Sequence, residues 1–238
     1  MKCALLLFGI SYCDYEHREG KKTKINYIES YYNYKKYIYK YLYDKGFSIE
    51  VYFSTNFSNK KKHNEIIKKY KPVKYSFIRD RNGNAEFLRN KKIINVIELC
   101  LNNNVNYDLV LITRFDLLFQ TDFKKSNIKL DKFNLVSILE HNQLICDNFY
   151  LFPFSKLKQF HEITKKNINK SFHRIKTDIE KIDGKEFVNY ILNEYTLVCD
   201  LSFYKVVRRY LTPWAWKNRL SLEESISMRK LSQLKAEI

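Results

Sequence analysis

The residues best suited to chemistry are Arg114 and Asp116, in the run Tyr107-Asp108-Leu109-Val110-Leu111-Ile112-Thr113-Arg114-Phe115-Asp116. An apolar stretch leads straight into an Arg-x-Asp. A carboxylate at the end of a buried strand can hold a divalent cation that bridges a diphosphate. An arginine two positions earlier points the same way if the chain stays extended, and can neutralise phosphate directly. The two can instead close on each other as an ion pair. A second acid, Asp147, lies inside the apolar stretch Leu144-Ile145-Cys146-Asp147-Asn148-Phe149. Acids are rarely buried unless paired. A carboxylate withdrawn from water is a better proton acceptor, which suits a general base acting on a hydroxyl. The alternative for Asp147 is a carboxylate that caps backbone or pairs with arginine. Glu140 and His141, ending the preceding apolar run, are the alternative bases. His161 and His173 sit on polar segments and read as surface histidines.

Other chemistries lack their motifs. There is no Gly-x-Gly-x-x-Gly after the first apolar run, no Gly-x-x-x-x-Gly-Lys-Ser/Thr and no Gly-x-Ser-x-Gly. A dinucleotide fingerprint, a P-loop and a serine-hydrolase elbow are therefore excluded. Cys3, Cys13, Cys100, Cys146 and Cys199 show no C-x-x-C spacing, which excludes a zinc knuckle or a disulfide framework and indicates a reducing compartment. The formal charge of +17 invites a polyanionic partner. Of the basic residues 33 are Lys and only 10 are Arg, and they spread over nearly every helix. Planar Arg is the usual reader of phosphate and base, so the composition argues against a nucleic-acid partner. No apolar run approaches the ~20 residues that cross a bilayer. The expected location is cytoplasmic.

The elements that must position these residues can be read from periodicity. Cys3 to Ile10 is a continuous apolar run, as in a strand buried on both faces of a parallel sheet. A polar loop follows from Ser11 to Lys24, then a tyrosine-rich helix from Ile25 to Tyr43 that ends at Gly46. Its tyrosines read as packing on the sheet rather than as a platform for stacking bases. Phe47 to Thr55 is a strand, Lys60 to Tyr70 a helix ended by Pro72, and Val73 to Ile78 a strand. Asn84 to Asn102 is a helix, and Tyr107 to Asp116 the fourth strand. Strands at Leu135 to Leu139 and Gln143 to Phe154 follow, with helices at Ser155 to Asn167 and Lys185 to Tyr195. Leu197 to Val207 is a late strand or a helix start, and Ser221 with Glu224 forms a capping box for a helical tail. The order β-α-β-α-β-α-β, then a mixed half, gives an α/β domain with a mostly parallel central sheet flanked by helices. The boundary near Pro213 divides a main domain, 1–212, from a tail, 213–238.

The arrangement resembles a glycosyltransferase of the GT-A type, of the small group found in large DNA viruses and some bacteria. The matching pieces are Leu5-Leu6-Leu7-Phe8-Gly9, Tyr70-Lys71-Pro72, Tyr107-Asp108-Leu109-Val110 with Thr113-Arg114-Phe115-Asp116, and Asp147-Asn148-Phe149. The resemblance implies a GT-A-like nucleotide-diphospho-sugar transferase fold over roughly Met1 to Arg209. It implies a nucleotide-sugar donor and a glycan or glycoprotein acceptor. In that family an Asp-x-Asp holds Mn²⁺ or Mg²⁺ on the donor diphosphate. Asp116 would be the retained metal-binding carboxylate, with Arg114 in place of the first Asp. Phe8, Gly9 and Thr55 would line the nucleoside pocket, and Arg89 and Lys92 would reach the diphosphate. The alternatives are a nucleotidyltransferase of related architecture, a basic nucleic-acid-binding protein, and a degenerate transferase fold that binds sugars without turnover.

Overall fold

In a computed structural model the described residues are 1–16, 22–79, 83–119, 122–139, 144–191 and 195–197. The first strand, β1 (Lys2–Gly9), is buried along nearly all its length. Cys3, Leu5 and Leu7 project into one apolar cluster, and Ala4, Leu6 and Phe8 into another on the opposite face. A strand with two dry faces must be unbrokenly apolar, and this one is.

A hairpin follows, β2 (Tyr12–Glu16) with β3 (Lys22–Asn26). This corrects the polar loop expected from Ser11 to Lys24. Asp14 registers with Lys24 and Glu16 with Lys22, so the strands carry charge rather than the apolar alternation that marks a half-buried strand. The tyrosine-rich helix begins two residues later than expected. It runs as α1 (Tyr27–Tyr34), a π-helical turn (Lys35–Tyr39) and α2 (Lys40–Asp44). Then come β4 (Ser48–Asn56), α3 (Lys60–Tyr70), β5 (Lys74–Ile78), α4 (Ala85–Leu101) and β6 (Leu109–Arg114). Three helices start on asparagine: Asn26, Asn59 and Asn84 each accept from a first-turn amide at 2.8–3.2 Å. Helix α3 stops at Lys71, left-handed at φ 46°, just before Pro72.

The second half holds β7 (Leu117–Phe119), β8 (Phe133–Leu139), β9 (Leu144–Pro153), α5 (Leu157–Lys166), α6 (Lys176–Asp183), β10 (Val188–Tyr190) and β11 (Tyr195–Leu197). Helix α6 and strand β10 correct the helix expected from Lys185 to Tyr195. Gly184, at φ 87°, ends α6, and the chain then pairs parallel to β8. The expected tail at 213–238, with Trp214, Trp216 and Ser221, lies outside the described residues. So does the late element from Leu197 onward, apart from Leu197 itself.

The central sheet has seven strands in the order β10-β8-β9-β6-β1-β4-β5. Only β9 runs against the others. The α1–α2 stretch and α3 pack on the face of Leu5 and Phe53, while α4, α5 and α6 cover the face of Leu6 and Ile112. Right-handed crossovers demand this change of side, because the chain moves outward from β1 to β5 and then returns to β6 on β1's other flank. The expected α/β architecture with a mostly parallel, helix-flanked sheet is present. No helix among the described residues is long and apolar enough to cross a membrane.

Candidate functional site

The strand order reverses between β1 and β6. In open α/β sheets, ligands bind beyond the carboxyl ends of the strands at such a reversal. Here the two strand ends are register partners, Phe8 with Arg114. Gly9 follows at φ 99°, a conformation that side chains resist. A Cβ at Gly9 would touch Arg114 at an ordinary 3.8 Å, so the backbone and not crowding calls for glycine. Thr55, at the end of β4, fixes the exit of β1: its hydroxyl lies 3.0 Å from the Gly9 carbonyl and accepts from the Ser11 amide at 3.0 Å.

Beyond Arg114 the strand bends, and the chain does not stay extended through Asp116. Phe115 turns into the core, wholly buried, with ring contacts to Phe53 and Tyr70 at 5.6 Å. Arg114 and Asp116 are thereby left together. Arg114 Nε donates to Asp116 Oδ1 at 2.6 Å and Nη2 donates to Oδ2 at 2.5 Å. The Asp116 side chain has no exposed surface, and that of Arg114 is 21% exposed. Helix α1 holds the backbone of this bend. Tyr34 Oη donates to the Arg114 carbonyl and Ser30 Oγ to the Phe115 carbonyl. Asn33 brackets Phe119 through both its amide and its carbonyl, at 3.0 and 2.8 Å. Burial, then the nearby Asp116 charge, pushes the Tyr34 phenol well above its ordinary range, so it remains a donor. The sequence reading saw only packing tyrosines in this helix. Its signal was the polar set Ser30, Asn33 and Tyr34 at helical spacing on one face.

The second acid is built differently. Asp147 is buried on β9, and its Oδ2 takes Arg89 of α4 on one side and His173 Nε2, at 3.2 Å, on the other. His173 is fixed in turn by Nδ1, 2.7 Å from the Ile145 carbonyl. It belongs to the site and corrects the surface reading; His161 likewise is 9% exposed and 3.3 Å from Glu98. The neighbouring Asn148 links the two corners: its Oδ1 accepts from Arg114 Nη1 at 3.5 Å, and its carbonyl accepts from Thr113 at 3.0 Å. An acid held between two basic groups is an anchor for them. The pairing with arginine that the sequence left open for Asp147 is thus present, and a role as base stands beside it as an expectation.

Lys92 completes the group. It is one turn along α4 from Arg89 and 7% exposed, and its ammonium donates to the Leu88 carbonyl at 3.1 Å. No carboxylate pairs with it among the described residues. Burial, then the Arg114 charge, pulls its pKa down to about 8. Buried lysines cost stability, so one without an acid partner marks a place where an anion is expected.

The sequence-predicted residues therefore divide. Gly9, Arg89, Lys92, Arg114, Asp116 and Asp147 gather at the reversal of strand order. Thr55 shapes the strand end with its hydroxyl already engaged. Phe8 does not line a pocket: its ring is wholly buried in the core, and its carbonyl accepts from the Phe115 amide at 3.0 Å. Glu140 and His141 lie outside the described residues. Asp116 does not fit as a ligand for Mn²⁺ or Mg²⁺, because both its oxygens are taken by one guanidinium. No group of three or more His, Cys, Asp or Glu able to hold a metal occurs among the described residues.

No protein-family model matches the chain, and no curated protein matches it. Solved structures with a similar course of chain do exist. One is a glycosyltransferase involved in the glycosylation of the major capsid of PBCV-1, 8% identical, TM-score 0.39, over 79% of this chain and 80% of that one. Another is HddC from Yersinia pseudotuberculosis, 12% identical, TM-score 0.43, over 83% and 93%. A third, from Bacillus anthracis, is assigned as a glucose-1-phosphate thymidylyltransferase, 13% identical, TM-score 0.44, over 83% and 89%. At these identities the likeness is one of fold, and a distant one.

Proposed function

We propose that the chain is a nucleotide-sugar-dependent glycosyltransferase of the GT-A type, which moves a sugar from its donor to a hydroxyl of a glycan or glycoprotein. The observation that carries this reading is the meeting of Arg89, Lys92 and Arg114 where the strand order reverses, with Lys92 buried and lacking an acid. Fixed cations partly withdrawn from water suit a diphosphate, and they suit it better as it leaves with growing negative charge. Asp116 aims Arg114, and Asp147 with His173 aims Arg89. Each arginine is set before the ligand arrives, so little reorganisation accompanies the transfer. Lys92 adds a point charge between them in sequence and on the same helix as Arg89. The base that takes the acceptor proton is assigned to Asp147, Glu140 or His141. A nucleotidyltransferase is disfavoured because the hairpin β2–β3, not a glycine-rich phosphate loop, follows β1.

The test is a thermal-shift panel of UDP, GDP, CMP and dTDP with their sugars. A ligand at ~100 times its dissociation constant adds about 2.7 kcal/mol of stability. One nucleotide and its sugar are expected to raise the melting temperature. If none does, while a polynucleotide binds with steep salt dependence, the reading is wrong.

A further inference from the structure

We propose that the Arg114 guanidinium stands where a divalent cation would otherwise be needed, so that this site takes the diphosphate of its donor without metal. The inference rests on the donor reading above and specifies how that site handles charge.

Two observations carry it. First, the carboxylate best placed to hold a metal is consumed. Both Asp116 oxygens accept from Arg114, and none of the side chain is open to an incoming ion. The planar fork of arginine matches a carboxylate on two bonds, and its five N–H donors outnumber those two oxygens. Second, Lys92 is held near Arg114 with no acid of its own among the described residues. Two like charges kept together in a poorly hydrated place repel, and an anion that touches both removes the repulsion. A metal ion beside them would add to it.

The experiment is calorimetric titration of the full chain with UDP, GDP, CMP, dTDP and inorganic pyrophosphate, in EDTA and then in Mn²⁺ or Mg²⁺. At least one nucleoside diphosphate is expected to bind in EDTA, with metal changing its affinity by less than about threefold. Arg114→Gln is expected to lower the affinity in EDTA by about ten- to a hundredfold, the loss of charged hydrogen bonds. Mn²⁺ then restores part of it, because the Asp116 oxygens are uncovered. Should Arg114→Gln fail to fold, Lys92→Met serves instead. It keeps the volume of a buried side chain and is expected to lose about tenfold, equally in EDTA and Mn²⁺. Unchanged affinity in Lys92→Met overturns the proposal. Binding by the unaltered chain that appears only with Mn²⁺ also overturns it and leaves the donor reading standing. No binding of any diphosphate, with or without metal, overturns the donor reading and this inference together.

Discussion

The two buried acids of the site reach the same end by opposite means. Asp116 meets Arg114 across one bend of its own chain, and the pair uses both carboxylate oxygens. Asp147 meets Arg89 from α4 and His173 from a short 3₁₀ turn, both through a single oxygen. The first pair forms from neighbours in sequence, and the fold needs only to bury it. The second exists only after a helix, a strand and a turn have assembled. A local pair thus fixes an arginine by chain geometry, whereas the distant one fixes an arginine by tertiary structure and ties three elements together.

The sharpest way to break this contrast is to remove one arginine at a time. Arg114→Ala leaves the fully buried Asp116 with no guanidinium, and breaking a buried pair typically costs about 3–5 kcal/mol. Adding Asp116→Asn removes the orphaned charge and is expected to recover most of that loss in chemical denaturation. If Arg114→Ala is as stable as the parent, Asp116 is not held as an ion at all.

Lys92 supplies the next effect, of opposite sign. Its folded pKa, near 8, lies below the ordinary lysine value of 10.5. Below about pH 8 the lysine is charged in both states, and burial penalises only the folded one. Between about 8 and 10.5 the unfolded chain binds more protons, so the stability contributed at this position rises with pH. Lys92→Met is therefore expected to stabilise the protein at pH 7 by up to about 3 kcal/mol. The difference from the parent narrows steadily above pH 8. A gain independent of pH would show that the ammonium is not the cause.

How much of this was legible beforehand follows the same contrast. Arg114-x-Asp116 could be read as a pair because its partners are adjacent, and the sequence reading kept the ion pair open beside metal binding. Asp147 could be read as a buried acid needing a partner. Neither Arg89 nor His173 could be named as that partner, since nothing local brings three separate elements together. The parallel sheet was legible in Leu5, Leu6 and Leu7, or Val110, Leu111 and Ile112, because two dry faces need unbroken apolar runs. Helix α6 was missed although Ile175 and Ile179 are both buried and one turn apart. Strand β10 was missed because only three residues pair, at an edge, where Asn189 donates to Asn134 at 2.8 Å. Edge segments of that length have too few residues to show a period.

Arg89→Met tests the distant corner and is expected to cost less than the loss of Arg114. Asp147 retains His173, and Arg89 gives it one charged contact. A charged hydrogen bond is worth about 1.5–3 kcal/mol. Denaturant titrations of Arg89→Met and Arg114→Ala side by side measure the difference. If Arg89→Met proves the costlier, the corner assembled from distant elements does more for stability than the local pair, and the contrast must be reversed.

The smallest effect distinguishes positioning from packing. Tyr34→Phe deletes only the hydroxyl that donates to the Arg114 carbonyl and takes the Leu117 amide at a long 3.4 Å. The ring stays in the core, so the stability loss should be about 1 kcal/mol, that of a neutral hydrogen bond. Thr113→Val deletes a comparable bond, to the Asn148 carbonyl at 3.0 Å, and should cost about as much. Their consequences for binding should part. Tyr34 grips the backbone of the bend that aims Arg114, so its loss should weaken diphosphate binding by a few-fold, roughly the effect of a bond partly lost. Asn148 sits next to Asp147 on β9, whose ladder with β6 reaches Phe149, and Thr113 only supports the Tyr34 hydroxyl, so Thr113→Val should weaken affinity less than Tyr34→Phe. Calorimetry on the two variants decides. If both lose stability and neither loses affinity, Arg114 is aimed by Asp116 alone, and helix α1 supports the bend without steering it.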